Sequence, residues 1–426
     1  MRFMHIADVH LGYQQYGLKE RFNDFSKVFL HLTEEAIAQK VDFVLLAGDL
    51  FEKRTVEPLA MRVAIAGLTN LRDAHIPVLA VEGNHEKADY REQTSWMDFL
   101  DALDYLKLLN PRFEEGRAIL EPHGPDGGAY VDLPDGVRVY GLRYYGASTG
   151  RVVQALAQAL EEAPSNDVRY TIAMMHAGLE GQLPHVGKLK LSDVALLRDH
   201  VDYVALGHIH KPYVVGDWIY NPGSPETCGM DEEAWPQRGY VLAEIMPGND
   251  PPHKAEILAP PSPPRRPFHR FPLKVDALMD PNAVYDAARR LIRRKDTAIS
   301  RDPQPVIELS LVGTLPFNRY DLDLTYLESL IHEAWKPLMV RVRNATTPAE
   351  FDIQFGEQSS RPELERAIIQ DLLERDARYR DHAEAWTAGA LELKRLVLES
   401  SAPEAIIQHL ERLRVELATE QEAAEA

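Results

Sequence analysis

The chain has little cysteine, lacks long apolar runs and has a deficit of positive charge. Cys228 is the only cysteine among 426 residues, which excludes an intramolecular disulfide framework and fits a reducing compartment. We interpret it as a small buried side chain. No apolar run is long enough to span a bilayer, and Met1 leads straight into a predicted strand without the features of a signal peptide, so we expect a cytoplasmic protein without membrane association. The formal net charge of -19 argues against a surface that coats nucleic acid everywhere.

The length of 426 residues predicts two or three domains. Up to about residue 245, short apolar runs alternate with amphipathic helical patterns, including one over 58–72, and this alternation indicates βα units. Prolines crowd residues 247–272, where we expect little regular structure and a domain boundary. Next, strands alternate with helices at 281–294 and 324–335, and the remainder is helical and acidic. We therefore predict domains at 1–260, 261–347 and 348–426.

Five apolar runs each end in residues of the types that bind metals. Because α/β proteins place their chemistry just beyond the carboxyl ends of buried parallel strands, we expect these residues to converge. In an extended segment, side chains two residues apart point to the same side, so neighbouring ligands of this spacing can share one site. The residues that follow the five runs are Asp8 and His10, Asp49, Asn84 and His85, His176, and His208 and His210.

These donors predict a two-metal centre for phosphoester hydrolysis. Carboxylate, imidazole and amide oxygen suit manganese, iron or zinc, and a set without thiolates argues against a structural zinc site. Asp49, at a glycine turn, could bridge two ions. Two ions about 3.5–4 Å apart can clamp a phosphate and activate water for attack on phosphorus. A lone Asp or His in a loop is usually a cap or a surface group, but five such groups at consecutive strand ends favour a shared site.

The motifs Asp8-Val9-His10, Gly48-Asp49, Gly83-Asn84-His85 and Gly207-His208-Ile209-His210 resemble those of the calcineurin-like metallophosphoesterases. More specifically, the chain resembles the nuclease subunit of the SbcCD-type double-strand-break repair complex. That likeness rests on His5 to Gly12, on Ala47 to Phe51 followed by Lys53-Arg54, and on Leu206 to His210 leading to Tyr220 to Ser224. The resemblance implies a two-sheet α/β sandwich phosphoesterase domain, a small α+β capping domain and a C-terminal helical segment.

The resemblance also implies residue roles. Asp8, His10, Asp49 and His210 would hold one manganese, and Asp49, Asn84, His176 and His208 the other. His85 would orient the scissile phosphate or protonate the leaving 3′ oxygen. In one departure, Glu86 follows His85 where the family commonly has aspartate. Its carboxylate either hydrogen-bonds the imidazole of His85 or caps a helix that starts near Asp89.

The implied function is that of a manganese-dependent DNA 3′-5′ exonuclease and endonuclease. It would act as a homodimer, through helices between Pro58 and Leu109 whose apolar residues could equally be core. An SMC-like ATPase subunit would be bound by the C-terminal helices, which could instead pack back on the main body. A cluster of basic residues between Arg265 and Arg301 could track DNA phosphates or could be a solvated helix face. Two alternatives stay open: a small-substrate metallophosphoesterase, such as a cyclic-nucleotide phosphodiesterase or a phosphatase, and a non-catalytic scaffold that binds DNA ends.

Overall fold

A computed structural model describes residues 1–87, 94–163, 167–184, 187–260, 265–348, 361–375 and 379–399, with isolated positions between 403 and 411. The chain separates into two compact units, Met1–His269 and Arg270–Ala426. The helix start expected near Asp89, the loop after Pro348 and most of the predicted final helix lie outside the described residues. The finer division into three domains stays a prediction.

Two six-stranded sheets dominate the first unit. Its strands are β1 (Arg2–Ile6), β2 (Phe43–Leu46), β3 (Val78–Ala80), β4 (Lys107–Leu108), β5 (Arg112–Glu114), β6 (Arg117–Ile119), β7 (Tyr130–Leu133), β8 (Val137–Leu142), β9 (Tyr170–Met175), β10 (Tyr203–Leu206), β11 (Tyr213–Val215), β12 (Ile219–Asn221), β13 (Tyr240–Ile245) and β14 (His253–Leu258). The first sheet has the order β14-β13-β1-β2-β3-β4, and the second has β11-β12-β10-β9-β8-β7. β5 and β6 form a separate antiparallel pair.

The two sheets face each other and carry helices on their outer faces. The helices of this unit are α1 (Lys19–Ala38), α2 (Pro58–Asp73), α3 (Trp96–Ala102), α4 (Thr149–Glu162) and α5 (Leu191–Ala195). One apolar cluster fills the space between the sheets and joins Phe43 and Leu79 of the first to Ile172 and Tyr203 of the second. Two further clusters cover the outer faces, beneath α1 to α3 on the first sheet and beneath α4 and α5 on the second. This four-layer arrangement confirms the predicted two-sheet α/β sandwich.

The parallel central strands bring their carboxyl ends to the same level. Ile6 pairs with Leu46 and Leu46 with Ala80 in the first sheet, while Met175 pairs with Leu206 in the second. Each of these residues directly precedes a loop that carries predicted metal ligands. The register therefore delivers all five ligand loops to one end of the sandwich.

The prediction of little regular structure over 247–272 is wrong for residues 253–258. They form β14, which pairs antiparallel with β13 at the edge of the first sheet. Prolines at 251, 252 and 260 flank this strand instead of interrupting it. An edge strand with flanking prolines loses no ladder hydrogen bond to them.

The second unit begins within β15 (Phe268–Lys274) and continues with α6 (Pro281–Lys295), β16 (Val306–Leu315), α7 (Leu324–Trp335) and β17 (Met339–Pro348). β16 lies between β15 and β17 in a three-stranded sheet. Buried side chains of α6 and α7 share one core with the sheet. Two helices follow, α8 (Arg361–Arg375) and α9 (Ala383–Leu398). Among the described residues, no helix is both long and apolar enough to cross a bilayer.

Candidate metal centre

Four of the predicted ligands occupy the left-handed backbone region. The φ angles are 54° for Asp8, 53° for His10, 53° for Asp49 and 84° for His208. Such conformations are uncommon for residues other than glycine, and they cluster where a fold must aim a side chain. Crowding also requires glycine beside them, because a Cβ at Gly83 would lie 1.9 Å from Oδ1 of Asp49. The loops are therefore shaped around the side chains that they present.

The structure brings the first predicted ligand set together. Nε2 of His10 lies 3.1 Å from Nε2 of His210. Ligand atoms of Asp8, His10 and Asp49 all lie within 4.8 Å of one another. Asp8 is fully buried, and both its carboxylate oxygens accept a hydrogen bond from the backbone N–H of His208 at 3.0 Å. The strands β1, β2 and β10 thus contribute to one cluster.

The second predicted set meets at Asn84. Oδ1 of Asn84 lies 3.1 Å from Nε2 of His176 and 2.9 Å from Nδ1 of His208. Oδ2 of Asp49 lies 3.2 Å from Nε2 of His176. Asp49 therefore adjoins both groups, as a bridging carboxylate must.

Three histidines of the centre share one orientation. Nδ1 faces an oxygen outside the predicted ligand set, at 2.9 Å from Oε2 of Glu52 for His10, 2.7 Å from the Ala47 carbonyl for His176 and 2.8 Å from Oε1 of Glu232 for His210. Because a carbonyl or carboxylate oxygen accepts, the contacts of His176 and His210 favour the proton on Nδ1, whereas the buried Nδ1 of His10 lies close to Glu52 without making a hydrogen bond. The lone pairs on Nε2 of His176 and of His210 then face the centre, which is how outer carboxylates and carbonyls orient metal-bound histidines. The donor set fits divalent cations.

His85 is placed differently from the other histidines. Its Nδ1 lies 2.6 Å from the Glu52 carbonyl, and its Nε2 lies 4.0 Å from Oδ2 of Asp49. Its backbone N–H donates to Oδ1 of Asp49 at 3.0 Å. The His85 side chain is 34% exposed, whereas that of His176 is 0% exposed. A half-exposed imidazole with a fixed Nδ1 can present Nε2 to a molecule that enters from solvent.

Burial and the charges of neighbouring side chains shift the pKa values of the residues in the centre. Burial alone would raise the pKa of Asp49, but the neighbouring imidazoles, His176 first, hold it well below its ordinary value. For His176, burial opposes the proton, yet the Asp49 carboxylate raises the pKa to about 9. Burial lowers the pKa of His208 to about 4. Asp49 therefore favours a positive charge beside it, which either a proton on His176 or a metal cation can supply.

Two glutamates that the sequence did not single out support these ligands. Glu52, three positions after Asp49, contacts His10 through its carboxylate and His85 through its carbonyl. Glu232 lies in the short 3₁₀ helix Met230–Ala234 and also accepts hydrogen bonds from Ser224 and from the backbone of Cys228. Within the acidic run Asp231 to Glu233, no sequence signal separates Glu232 from a solvated carboxylate.

Glu86 does not bond the imidazole of His85 as one interpretation predicted. Its buried carboxylate accepts hydrogen bonds from three backbone N–H groups, those of Gly83 at 2.9 Å, Phe51 at 3.0 Å and Asp49 at 3.1 Å. Burial, reinforced by the charge of Asp49, raises the pKa of Glu86 to about 8. Glu86 therefore ties the loop after β2 to the loop after β3.

We expect Glu86→Ala to destabilise the first unit. The substitution would leave three buried N–H groups without an acceptor, at about 1–3 kcal/mol for each group. Urea unfolding of the full chain in chelator measures the change, and Glu57→Ala removes an exposed carboxylate that caps nothing at the start of α2 and should shift the free energy of unfolding by less than about 0.5 kcal/mol. Equal stability of the two variants would contradict this role of Glu86.

Comparison with known proteins finds a matching family model and several related sequences. Residues 1–212 match the family model described as calcineurin-like phosphoesterase. The chain is 32% identical over 241 residues to the DNA double-strand break repair protein Mre11 of Archaeoglobus fulgidus, which covers 54% of this chain and 52% of that protein. The Mre11 protein of Methanopyrus kandleri is 30% identical over 256 residues, covering 58% of this chain and 54% of the relative. The chain thus spans about half the length of these two relatives. The Mre11 protein of Sulfolobus acidocaldarius is 26% identical over 341 residues, covering 78% and 79%.

Proposed function

Because the chain belongs, through residues 1–212, to the calcineurin-like phosphoesterases, we propose that it is a manganese-dependent DNA nuclease of double-strand-break repair. The similarity to Mre11 proteins supports DNA as the substrate. The proposal includes 3′-5′ exonuclease and endonuclease activity and a cytoplasmic, nucleoid-associated location. The observation that carries the chemistry is the convergence of five loops on one set of inward-facing nitrogen and oxygen donors.

We assign the two ions to overlapping residue sets. Asp8, His10, Asp49 and His210 would hold one ion, and Asp49, Asn84, His176 and His208 would hold the other. The orientation of His176 and His210 supports this assignment, because a proton on Nδ1 leaves the lone pair of each Nε2 available to coordinate. When bound, the two metal ions would polarise the phosphodiester and activate the attacking water.

His85 is the proposed proton donor. The Glu52 carbonyl, 2.6 Å away, keeps a proton on Nδ1, so the transferable proton of the imidazolium is the one on Nε2. That nitrogen faces the centre from a side chain that solvent reaches. His85 can therefore bind a non-bridging phosphate oxygen and give its Nε2 proton to the leaving 3′ oxygen.

Part of the basic cluster supports a DNA contact in the second unit. Arg290, Arg293 and Arg294 of α6 are exposed, opposite the buried Ala288 and Ile292. Several other members of the cluster form ion pairs within their own unit, such as Arg270 with Glu308 at 2.7 Å and Arg301 with Asp296 at 2.7 Å. We therefore narrow the proposed phosphate contact to the exposed face of α6.

Exposed apolar side chains support the proposed protein partners. In the first unit, Trp96 and Phe99 of α3 are 39% and 40% exposed, which fits a homodimer contact. In the second unit, Leu372 of α8 and Val397 of α9 are 51% and 61% exposed, which fits docking of an SMC-like ATPase subunit.

The test is hydrolysis with manganese of end-labelled linear double-stranded DNA and, in parallel, of bis-p-nitrophenyl phosphate. DNA cutting that releases mononucleotides from the 3′ end, with internal nicks in circular single strands, is the expected result. Hydrolysis of the small diester without any action on DNA would favour a small-substrate phosphodiesterase or phosphatase. Binding of DNA ends without hydrolysis of either compound would favour the non-catalytic scaffold.

Manganese should also stabilise the fold. A ligand at a thousandfold excess over its Kd contributes about 4 kcal/mol to a folded state that alone binds it, which corresponds to a rise in Tm of roughly 8 °C. Thermal unfolding of the full chain with manganese and with chelator measures the shift. Asp8→Ala should reduce the shift, whereas His31→Ala, on the outer helix α1, should keep it. An equal Tm in manganese and in chelator would oppose the metal assignment.

A further inference from the structure

The thiol of Cys228 lies beside two of the assigned manganese ligands. Its Sγ and one ring nitrogen each of His10 and His210 all lie within 4.8 Å of one another. The sequence alone favours a small buried side chain at this position, and the structure leaves Cys228 half-buried. Packing alone does not explain why the one thiol among 426 residues adjoins two imidazoles that already face each other at 3.1 Å.

Hydrogen bonds hold both the backbone N–H and the backbone carbonyl of Cys228. Its N–H donates to Oε2 of Glu232 at 2.9 Å, and its carbonyl accepts from Nε2 of Gln15 at 2.8 Å. The other oxygen of the same glutamate, Oε1, contacts Nδ1 of His210 at 2.8 Å. A single carboxylate thus sets both the imidazole ring and the residue that carries the thiol.

The neighbouring positions add rigidity. The fully buried guanidinium of Arg21 donates to the Thr227 carbonyl at 2.8 Å and to Oε1 of Glu226 at 3.0 Å. Arg238 donates to Oγ1 of Thr227 at 2.8 Å. The loop is therefore held by buried charged groups, and the thiol keeps its place next to His10 and His210.

We propose that His10, His210 and Cys228 form a binding site for a soft divalent cation of the zinc and cadmium class, which competes with manganese. Two imidazole nitrogens and one thiolate sulfur are a donor set that zinc prefers. Manganese lies at the weak end of the affinity order for such donors and favours carboxylates. The inference rests on the proposed function, because it shares two residues with the first manganese set.

Binding at this site displaces the thiol proton. The Sγ–H bond breaks, its electron pair forms the bond from sulfur to the cation, and the proton passes to solvent. A cation held there occupies His10 and His210, so the first manganese loses two of its four assigned side chains. Zinc at low concentration therefore stops DNA cleavage, and a chelator followed by fresh manganese restores it.

Cadmium titration of the full chain tests the site directly, since thiolate coordination produces a sulfur-to-cadmium charge-transfer band in the ultraviolet. The chain has one cysteine, so any such band arises from Cys228. We expect the band in the wild type and its loss in Cys228→Ser, with cadmium affinity reduced roughly tenfold to hundredfold or more, because even outer-shell changes cost that much. Met230→Leu removes another sulfur two positions away, at the start of the 3₁₀ helix Met230–Ala234, and should keep the band.

Further measurements distinguish failure of this site from failure of the proposed nuclease. Circular dichroism and Tm in chelator establish that Cys228→Ser is folded, and equilibrium dialysis counts the bound ions. The zinc concentration that halves manganese-dependent hydrolysis, measured against each variant's own uninhibited rate, should rise at least about tenfold in Cys228→Ser. Cadmium that binds without a sulfur band, or equal zinc sensitivity in both proteins, overturns this site and leaves the proposed nuclease intact. A protein that binds no divalent cation and hydrolyses no phosphodiester overturns both.

Discussion

His85→Ala should reduce manganese-dependent DNA cleavage by about 10²–10⁴-fold while the protein keeps its manganese and its DNA affinity. The reason is the placement of the ring, whose Nδ1 is fixed by the Glu52 carbonyl and whose Nε2 lies 4.0 Å from Oδ2 of Asp49. The ring is thus beside the centre without belonging to either assigned ligand set. Single-turnover cleavage of end-labelled DNA and elemental analysis of bound manganese measure the two effects separately.

Conservative and distant substitutions distinguish proton donation from a structural role. Glutamine at position 85 keeps a polar side chain but has no acidic proton for the leaving oxygen, so His85→Gln should lose about as much activity as His85→Ala. His31→Ala replaces a histidine of α1 and should keep the rate. Unchanged cleavage in His85→Ala would exclude the proposed role, and loss of manganese would make His85 a ligand.

The strand-end ligands could be predicted because a local pattern encodes them. Asp49 and His176 each follow a buried parallel strand, and the register of the sheets brings their loops together. In the second unit, the predicted helices at 281–294 and 324–335 correspond to α6 and α7. Periodicity and strand position are properties of a few neighbouring residues, so a single sequence reveals them.

The supporting residues could not be predicted because their roles depend on distant backbone. Glu86 bonds N–H groups of the loop after β2, which lies 35 to 37 positions earlier in the chain. Glu232 meets His210 from 22 positions away, and Cys228 lies 218 positions after His10. No spacing rule connects these pairs, since each contact exists only once the first unit has folded. Likewise, the prolines around β14 predict a domain boundary, but they do not predict the edge strand that lies between them.

Asp49→Asn should remove at least one manganese per chain and lower DNA cleavage by more than about 10³-fold. The reason is that the two metal ions together contribute several kcal/mol of transition-state stabilisation. The carboxylate adjoins both assigned sets, with Oδ2 at 3.2 Å from Nε2 of His176. Asparagine keeps the shape and the Oδ1 acceptor for the His85 N–H, which Asp49 holds at 3.0 Å, but it loses the charge. Elemental analysis and single-turnover cleavage measure the outcome. The control Asp42→Asn changes an exposed carboxylate and should alter neither.

The charge of Asp49 makes a second, metal-independent prediction. In chelator, Asp49 raises the pKa of His176 to about 9 in the folded chain, above its ordinary value of 6.5. The folded state therefore binds this proton more tightly than the unfolded state, and the resulting stability is fully present below pH 6.5 and lost as the pH rises through about 9. Asp49→Asn should flatten this part of the unfolding profile measured in urea. If the stability of the variant still declined between pH 6.5 and about 9, another group would hold the proton. In the manganese analysis, a wild-type manganese content of the same variant would show that Asp49 does not bridge the ions.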